Sequence, residues 1–141
     1  MSEPSYQAVI EHMLKNDRFS AWLGIEVLEL QAGFCKITMV VREEMMNGFN
    51  IAHGGITFSF ADSALAIASN GYNKLSVALE TAMSFTAPVK SGDQLTAMAT
   101  EISKTNKIGV YNIEITNQQQ LTVGLFKGTV YRTSKTLLDD E

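Results

Sequence analysis

HGGITFSFADSALAIASNG, residues 53–71, decides the fold. From Gly54 to about Ser69 it reads as one helix. Ile56, Phe58, Phe60, Ala61, Ala64, Leu65, Ile67 and Ala68 spread apolar side chains nearly all round it. A helix of that kind belongs inside a protein. Asn70-Gly71 closes it. Upstream, Ala8, Val9, Met13 and Leu14 at helical spacing predict a helix over 5–16, started by Ser5 or Pro4. Gly24 opens a strand, Ile25 to Leu30, and Gln31-Ala32-Gly33 turns it. Cys35, Ile37, Met39 and Val41 then alternate on one face of a second strand. Residues 43–53 form a loop around the turn signal Asn47-Gly48. Downstream, four alternating stretches predict strands: 77–85, from about 95, 111–115 and 121–133. The order is helix, two strands, long buried helix, four strands. It predicts an α+β fold in which an antiparallel sheet, mostly of hairpins, wraps one helix. Residues 1–141 make a single domain, with 1–20 as an N-terminal helix or lid.

Bulk properties exclude several function classes. A net charge of −4 argues against nucleic acid as a partner. The single cysteine, Cys35, excludes an intramolecular disulfide and reads as a small buried hydrophobe. With two histidines and no clustered cysteines, no metal is expected. The first 20 residues carry five charged side chains and no apolar leader run, and 56–68 is too short to span a bilayer. A cytoplasmic protein without a membrane partner is the expectation.

Chemistry concentrates in NGFNIAHGGITFSFAD, residues 47–62. The first N–H groups of a helix have no intrahelical partner and lie at the positive end of its dipole. Gly54 and Gly55 lack Cβ atoms, so a carbonyl can approach those groups, as in an oxyanion site. Asp62 is the only acidic residue between Glu44 and Glu80. Buried in a mostly apolar helix, it is costly unless paired or used. Beside an electrophile-binding helix start it suits a general base or a nucleophile. Each residue taken singly also has a bland reading: His53 as a helix-entry residue, Asn47 as a turn former, Asp62 as a hydrogen-bonded core acid.

The spacing adds a constraint. Gly54 and Asp62 are eight residues apart, about 12 Å along a helix. Both must act within about 3–3.5 Å of one reacting carbonyl. One straight helix cannot deliver both. A two-fold partner can, which predicts a site at a dimer interface with Gly54 from one subunit and Asp62 from the other.

The pattern NGxxxAHGGxxFSxAD, with the alanine-rich helix after it, resembles the hotdog thioesterases of the phenylacetic-acid-degradation (PaaI) type. FTAPVKSGDQLTA (85–97) and GVYNIEITNQQQLTVGLFKGTVYR (109–132) carry the likeness on, so that it covers about residues 20–133. The resemblance implies a hotdog fold, edge-to-edge dimers commonly paired into homotetramers, and an acyl-CoA substrate without further cofactor. It implies Asp62 as the catalytic acid and Gly54 as the backbone donor. Asn47 would orient the carboxylate or the attacking water, and His53 would bond near the thioester or hold the loop. The serine or threonine that some relatives place one turn after the acid is Ala66 here, with Ser63 nearby. Gly55, Phe58 and Lys107 are candidate substrate contacts. Phe49 and Phe60 join Phe58 as acyl-pocket candidates, and Lys90, Lys104, Lys127 and Arg132 join Lys107 for the CoA phosphates. An aryl-acetyl or hydroxyphenylacetyl group is the implied acyl part. Two rival readings are a hotdog enoyl-CoA hydratase or dehydratase, using His53 with Asp62, and a non-catalytic acyl-CoA sensor.

Overall fold

The computed structural model describes residues 3–139. Its helices are α1 (Tyr6–Lys15), α2 (Arg18–Leu23) and α3 (Gly54–Asn70); a 3-10 turn spans Glu43–Met45. Its strands are β1 (Glu26–Gln31), β2 (Phe34–Val40), β3 (Ser76–Phe85), β4 (Gln94–Lys104), β5 (Ile108–Thr116) and β6 (Thr122–Arg132). All pair antiparallel in one sheet of order β1-β2-β4-β5-β6-β3. This is the hotdog arrangement expected from the sequence, with α3 lying across the sheet. No described helix is long and apolar enough to cross a membrane.

Period-two alternation builds the core. Cys35, Ile37 and Met39 of β2, Leu95, Ala97 and Ala99 of β4, and Tyr111, Ile113 and Ile115 of β5 all turn inward and are buried. They meet Phe60, Ala61, Ala64, Leu65, Ile67 and Ala68 of α3, also buried. Small residues on both sides let the helix sit close to the sheet. Gly128 of β6 is one such point: a Cβ there would lie 2.6 Å from a Leu65 methyl. Leu65 is 1% exposed. Leu65→Ala is expected to cost about 2–5 kcal/mol of stability, read by denaturant unfolding, because packing on both sides limits collapse of the cavity. The Cys35 thiol, bonded to the Ala64 carbonyl at 3.3 Å, is pushed up to about 12 by burial. It is the core residue its alternation predicts.

Three expectations are corrected. Gly24 does not open a strand; it closes α2, a helix not anticipated from the sequence. Gly24 takes φ +81° and donates to the Ser20 and Ala21 carbonyls, while Asp17 caps the other end by accepting from the Ser20 amide. The end of α3 is not a left-handed glycine cap, since Gly71 has φ −60°. The Asn70 side chain closes it instead, donating to the Ala66 and Ser76 carbonyls and accepting from the Ser76 amide. Finally, α3 is not covered all round. Gly55 and Asp62 are exposed, and Ser59, Ser63 and Ala66 are half-buried, so one stripe of the helix is open on the protomer's surface.

Hairpins join β1-β2, β4-β5 and β5-β6, but β3 lies at the edge beside β6. A bulge interrupts its pairing between Ala78 and Glu80. Its Val77 and Leu79 are 48% and 58% exposed. The far end of the sheet, near the α3 C-terminus, is tied by a polar cluster. Tyr72 and Tyr111 both donate to Glu101 Oε1, at 2.8 and 3.1 Å. The Lys104 ammonium sits 3.9 Å from the Tyr72 ring centre. Burial, with Glu101 beside it, pushes the Tyr72 phenol up to about 12.

Candidate active site

Everything at the start of α3 follows from its first residues. His53 is the N-cap, with φ −58° and ψ 135°, and its Nδ1 accepts from the Gly55 amide at 2.9 Å. An imidazole whose Nδ1 accepts carries its proton on Nε2. The His53 amide donates to the Met45 carbonyl at 2.9 Å, which fixes the loop entry. The cap thus already uses the N–H of Gly55, the residue expected as a substrate contact. A Cβ on Gly55 would crowd His53 Nδ1 at 3.1 Å, so the second glycine serves the cap. Gly54 differs: among the described residues its N–H has no acceptor. The Phe85 ring lies 3.4 Å from where a Gly54 Cβ would stand. That leaves one dipole-backed donor in an open position beside an aromatic wall.

Asn47 does two things. Its Oδ1 accepts from the Phe49 and Ile51 amides at 2.8 and 3.3 Å, holding the loop as an Asx turn. Its Nδ2 has no partner among the described residues and remains a donor. Asn47 and Gly54 line one cavity of about 350 Å³ together with Thr57, Phe85, Pro88 and Val123. The loop takes up Oδ1 of Asn47 and leaves Nδ2 as the atom open to another acceptor.

Asp62 lies elsewhere. It lines a separate cavity of about 440 Å³ with Asp17, Phe19, Ser20, Ser59 and Ser63. Its carboxylate has no hydrogen-bond partner among the described residues. Partial burial, and next the nearby Asp17 charge, hold its pKa above the ordinary carboxylate value. The buried acid expected from the sequence is thus corrected to a half-open, unpaired one. Within one chain Asn47 and Gly54 come together and Asp62 does not join them, as the helix spacing requires.

The remaining candidates separate. Phe58 turns to the sheet, its ring 5.4 Å from that of Phe126 at 62°, and lines neither cavity. Phe60 is fully buried, while Phe49 is 86% exposed on the loop tip. Lys107 sits in the β4-β5 turn beside Arg132, at the opposite end of the sheet from Gly54, and within one protomer does not approach either cavity. Lys104 and Arg132 lie against the Tyr72 ring, and Arg132 also donates to the Thr105 carbonyl at 2.7 Å. Lys127 lies on the outer sheet face. Lys90 alone of these follows directly on the cavity-lining Pro88 and Val89. Residues that sequence reasoning missed are Phe85 over Gly54, and Asp17, Phe19 and Ser20 beside Asp62. The N-capping pattern Asp17-x-x-Ser20, closed by Gly24, was the available signal for the second group.

A family model described as the thioesterase superfamily matches residues 49–123. The chain belongs to the thioesterase superfamily. This superfamily member is 42% identical over 125 residues to an Escherichia coli protein named acyl-coenzyme A thioesterase PaaI, covering 89% of each chain. It is 39% identical over 129 residues to a putative esterase of Archaeoglobus fulgidus, covering 92% of this chain and 84% of the relative. A solved structure of the E. coli PaaI protein, from the phenylacetic acid degradation operon, superposes with a TM-score of 0.91 at 40% identity, covering 93% of this chain and 95% of that one.

Proposed function

We propose that this protein hydrolyses acyl-CoA thioesters at sites shared between two copies of the chain. One observation carries the reading: α3 holds an unpartnered N–H at Gly54 and an unpaired carboxylate at Asp62, in separate cavities, with the stripe between them open. The exposed edge of β3 supports it, because a second copy would cover Val77 and Leu79. The E. coli relative's name supports the CoA thioester as substrate.

The thioester carbonyl oxygen accepts from the Gly54 N–H, where the helix dipole favours the developing negative charge. Asp62 of the second copy then acts on the carbonyl carbon. As a base it takes a proton from water while the water oxygen bonds to that carbon; the tetrahedral adduct collapses and the C–S bond breaks, releasing CoA thiolate. As a nucleophile its oxygen bonds to the carbon and expels the same thiolate, leaving a mixed anhydride that water hydrolyses. Either route needs Asp62 ionised and unpaired. The Asn47 Nδ2 donor can hold the water or the carboxylate, and His53 keeps the loop and the first helical turn in place.

Aryl-acetyl-CoA, in phenylacetate breakdown, is the reading for the acyl part. A homotetramer built from such dimers, in the cytoplasm, completes the proposal. Free-thiol release from a panel of acyl-CoAs tests the reaction, and enoyl-CoA hydration run in parallel tests the rival chemistry. Thiol release without hydration is expected; CoA binding with neither reaction would make the protein a sensor. Because the site needs two copies, specific activity is expected to fall on dilution through the dimer dissociation range, measured alongside sedimentation.

A further inference from the structure

The start of α3 offers few free donors. Of its first three amides, Gly55 gives its hydrogen to His53 Nδ1 and Ile56 gives its own to the His53 carbonyl. Gly54 alone keeps a free N–H, while an oxyanion has lone pairs for more than one donor. Thr57 lies three residues on. Residues so spaced share a helix face, with the Cβ tilted back toward the N-terminus. The Thr57 side chain therefore stands over the Gly54 turn, and both residues line the cavity of about 350 Å³. Thr57 is only 3% exposed. Its methyl turns to β6, 3.7 Å from where a Gly124 Cβ would stand, so the hydroxyl is the branch left for the cavity. That hydroxyl has no partner among the described residues. Nor is it sealed in: the one fully enclosed side-chain polar atom without a partner among the described residues is Arg132 Nε. The other hydroxyl lining the cavity, Thr86, already donates to the Thr122 carbonyl at 2.8 Å. A deeply placed hydroxyl without a partner costs stability unless a bound molecule supplies one.

We propose that Thr57 Oγ is the second donor to the thioester oxygen, completing with the Gly54 N–H a two-donor oxyanion hole on the first turn of α3. The proposal rests on the thioesterase reading. As Asp62 of the second copy, or its water, adds to the carbonyl carbon, the C=O π pair moves onto the oxygen. That oxygen accepts from the Gly54 N–H and the Thr57 O–H together. When the C–S bond breaks, the pair returns to the carbonyl and no proton has left Thr57. The packed methyl holds the hydroxyl in place beforehand, so little reorganisation accompanies the charge. Asn47 Nδ2 stays free for the water or the carboxylate.

The test compares Thr57→Val and Thr57→Ser with the native protein. Valine keeps the packed methyl and replaces the hydroxyl by a second one. Its kcat should fall about 10²-fold, as for a lost oxyanion donor. KM should change little, because the lost bond strengthens only in the transition state. Thr57→Val should melt no lower than native, since it removes an unpartnered hydroxyl. Thr57→Ser should recover turnover to within severalfold of native. The contact itself is read by infrared spectroscopy of an inert CoA ketone, in which a methylene separates the carbonyl from sulfur. Binding to the native protein should lower the carbonyl stretching frequency. Thr57→Val should give back part of that shift, and Thr57→Ser should restore it. Native turnover in Thr57→Val, a serine variant as slow as the valine one, or a stretch unmoved by the valine would each overturn the Thr57 contact alone. Absence of turnover of any thioester by the native protein would overturn the thioesterase reading and this proposal with it.

Discussion

Asp62→Asn should lose about a thousandfold or more of thioester turnover, whether Asp62 acts as base or nucleophile, because neither role survives in a neutral amide. The same variant should melt no lower than the native protein at pH 7. Burial and Asp17 raise the folded-state pKa of Asp62, so the folded chain holds that proton more tightly than the unfolded chain does. Ionising Asp62 therefore costs stability. The cost is absent below the ordinary carboxylate range and complete above the folded pKa, so native stability relative to the variant declines as pH rises through that window. An acid used only for structure would behave oppositely, and its removal would destabilise at neutral pH. The acid limb of kcat/KM should likewise lie above the ordinary aspartate value of 3.8. Calorimetry at pH 4 and 7, with a pH–rate profile, reads both effects.

Gly54→Pro should lower turnover by about 10²–10³-fold with the helix intact. Gly54 is the first residue of α3, where proline is tolerated and its missing N–H breaks no helical bond. His53, at φ −58° and ψ 135°, already has the extended backbone that a residue before proline requires. The substitution thus deletes one donor, and the expected loss is that of an oxyanion-hole donor. Gly54→Ala is the control. It keeps the N–H and only presses on the Phe85 ring 3.4 Å away, so its turnover should stay within severalfold of native. Equal losses in the two variants would place the effect in packing.

Much of this arrangement is legible in the sequence, and what is not has physical reasons. A 17-residue helix gives its apolar periodicity room to show, and the alternating strands declare their inward faces. Asp62 stands out because no other acid lies near it in sequence. Its exposure does not stand out, because the open stripe of α3 is made of Gly55, Ser59, Ser63 and Ala66, small residues equally at home in a packed interface and at a surface. With six residues, α2 is too short for periodicity to register, so only its caps could betray it. The place of β3 beside β6 is a non-local pairing that no local pattern encodes. Lysines in turns carry no signal of where the turn will lie, which is why Lys107 falls at the end of the sheet away from Gly54 and Lys90 beside the Gly54 cavity.

The central claim is that Gly54 and Asp62 act on one thioester from different copies of the chain. Co-expressing Gly54→Pro and Asp62→Asn chains with different tags, then purifying the doubly tagged hybrid, tests it most directly. Each homodimer should be nearly inactive. In the hybrid, one site combines the intact Gly54 of one chain with the intact Asp62 of the other, so about half of native activity per dimer should return. A hybrid as inactive as its parents would place both groups of each site on a single chain and contradict the account.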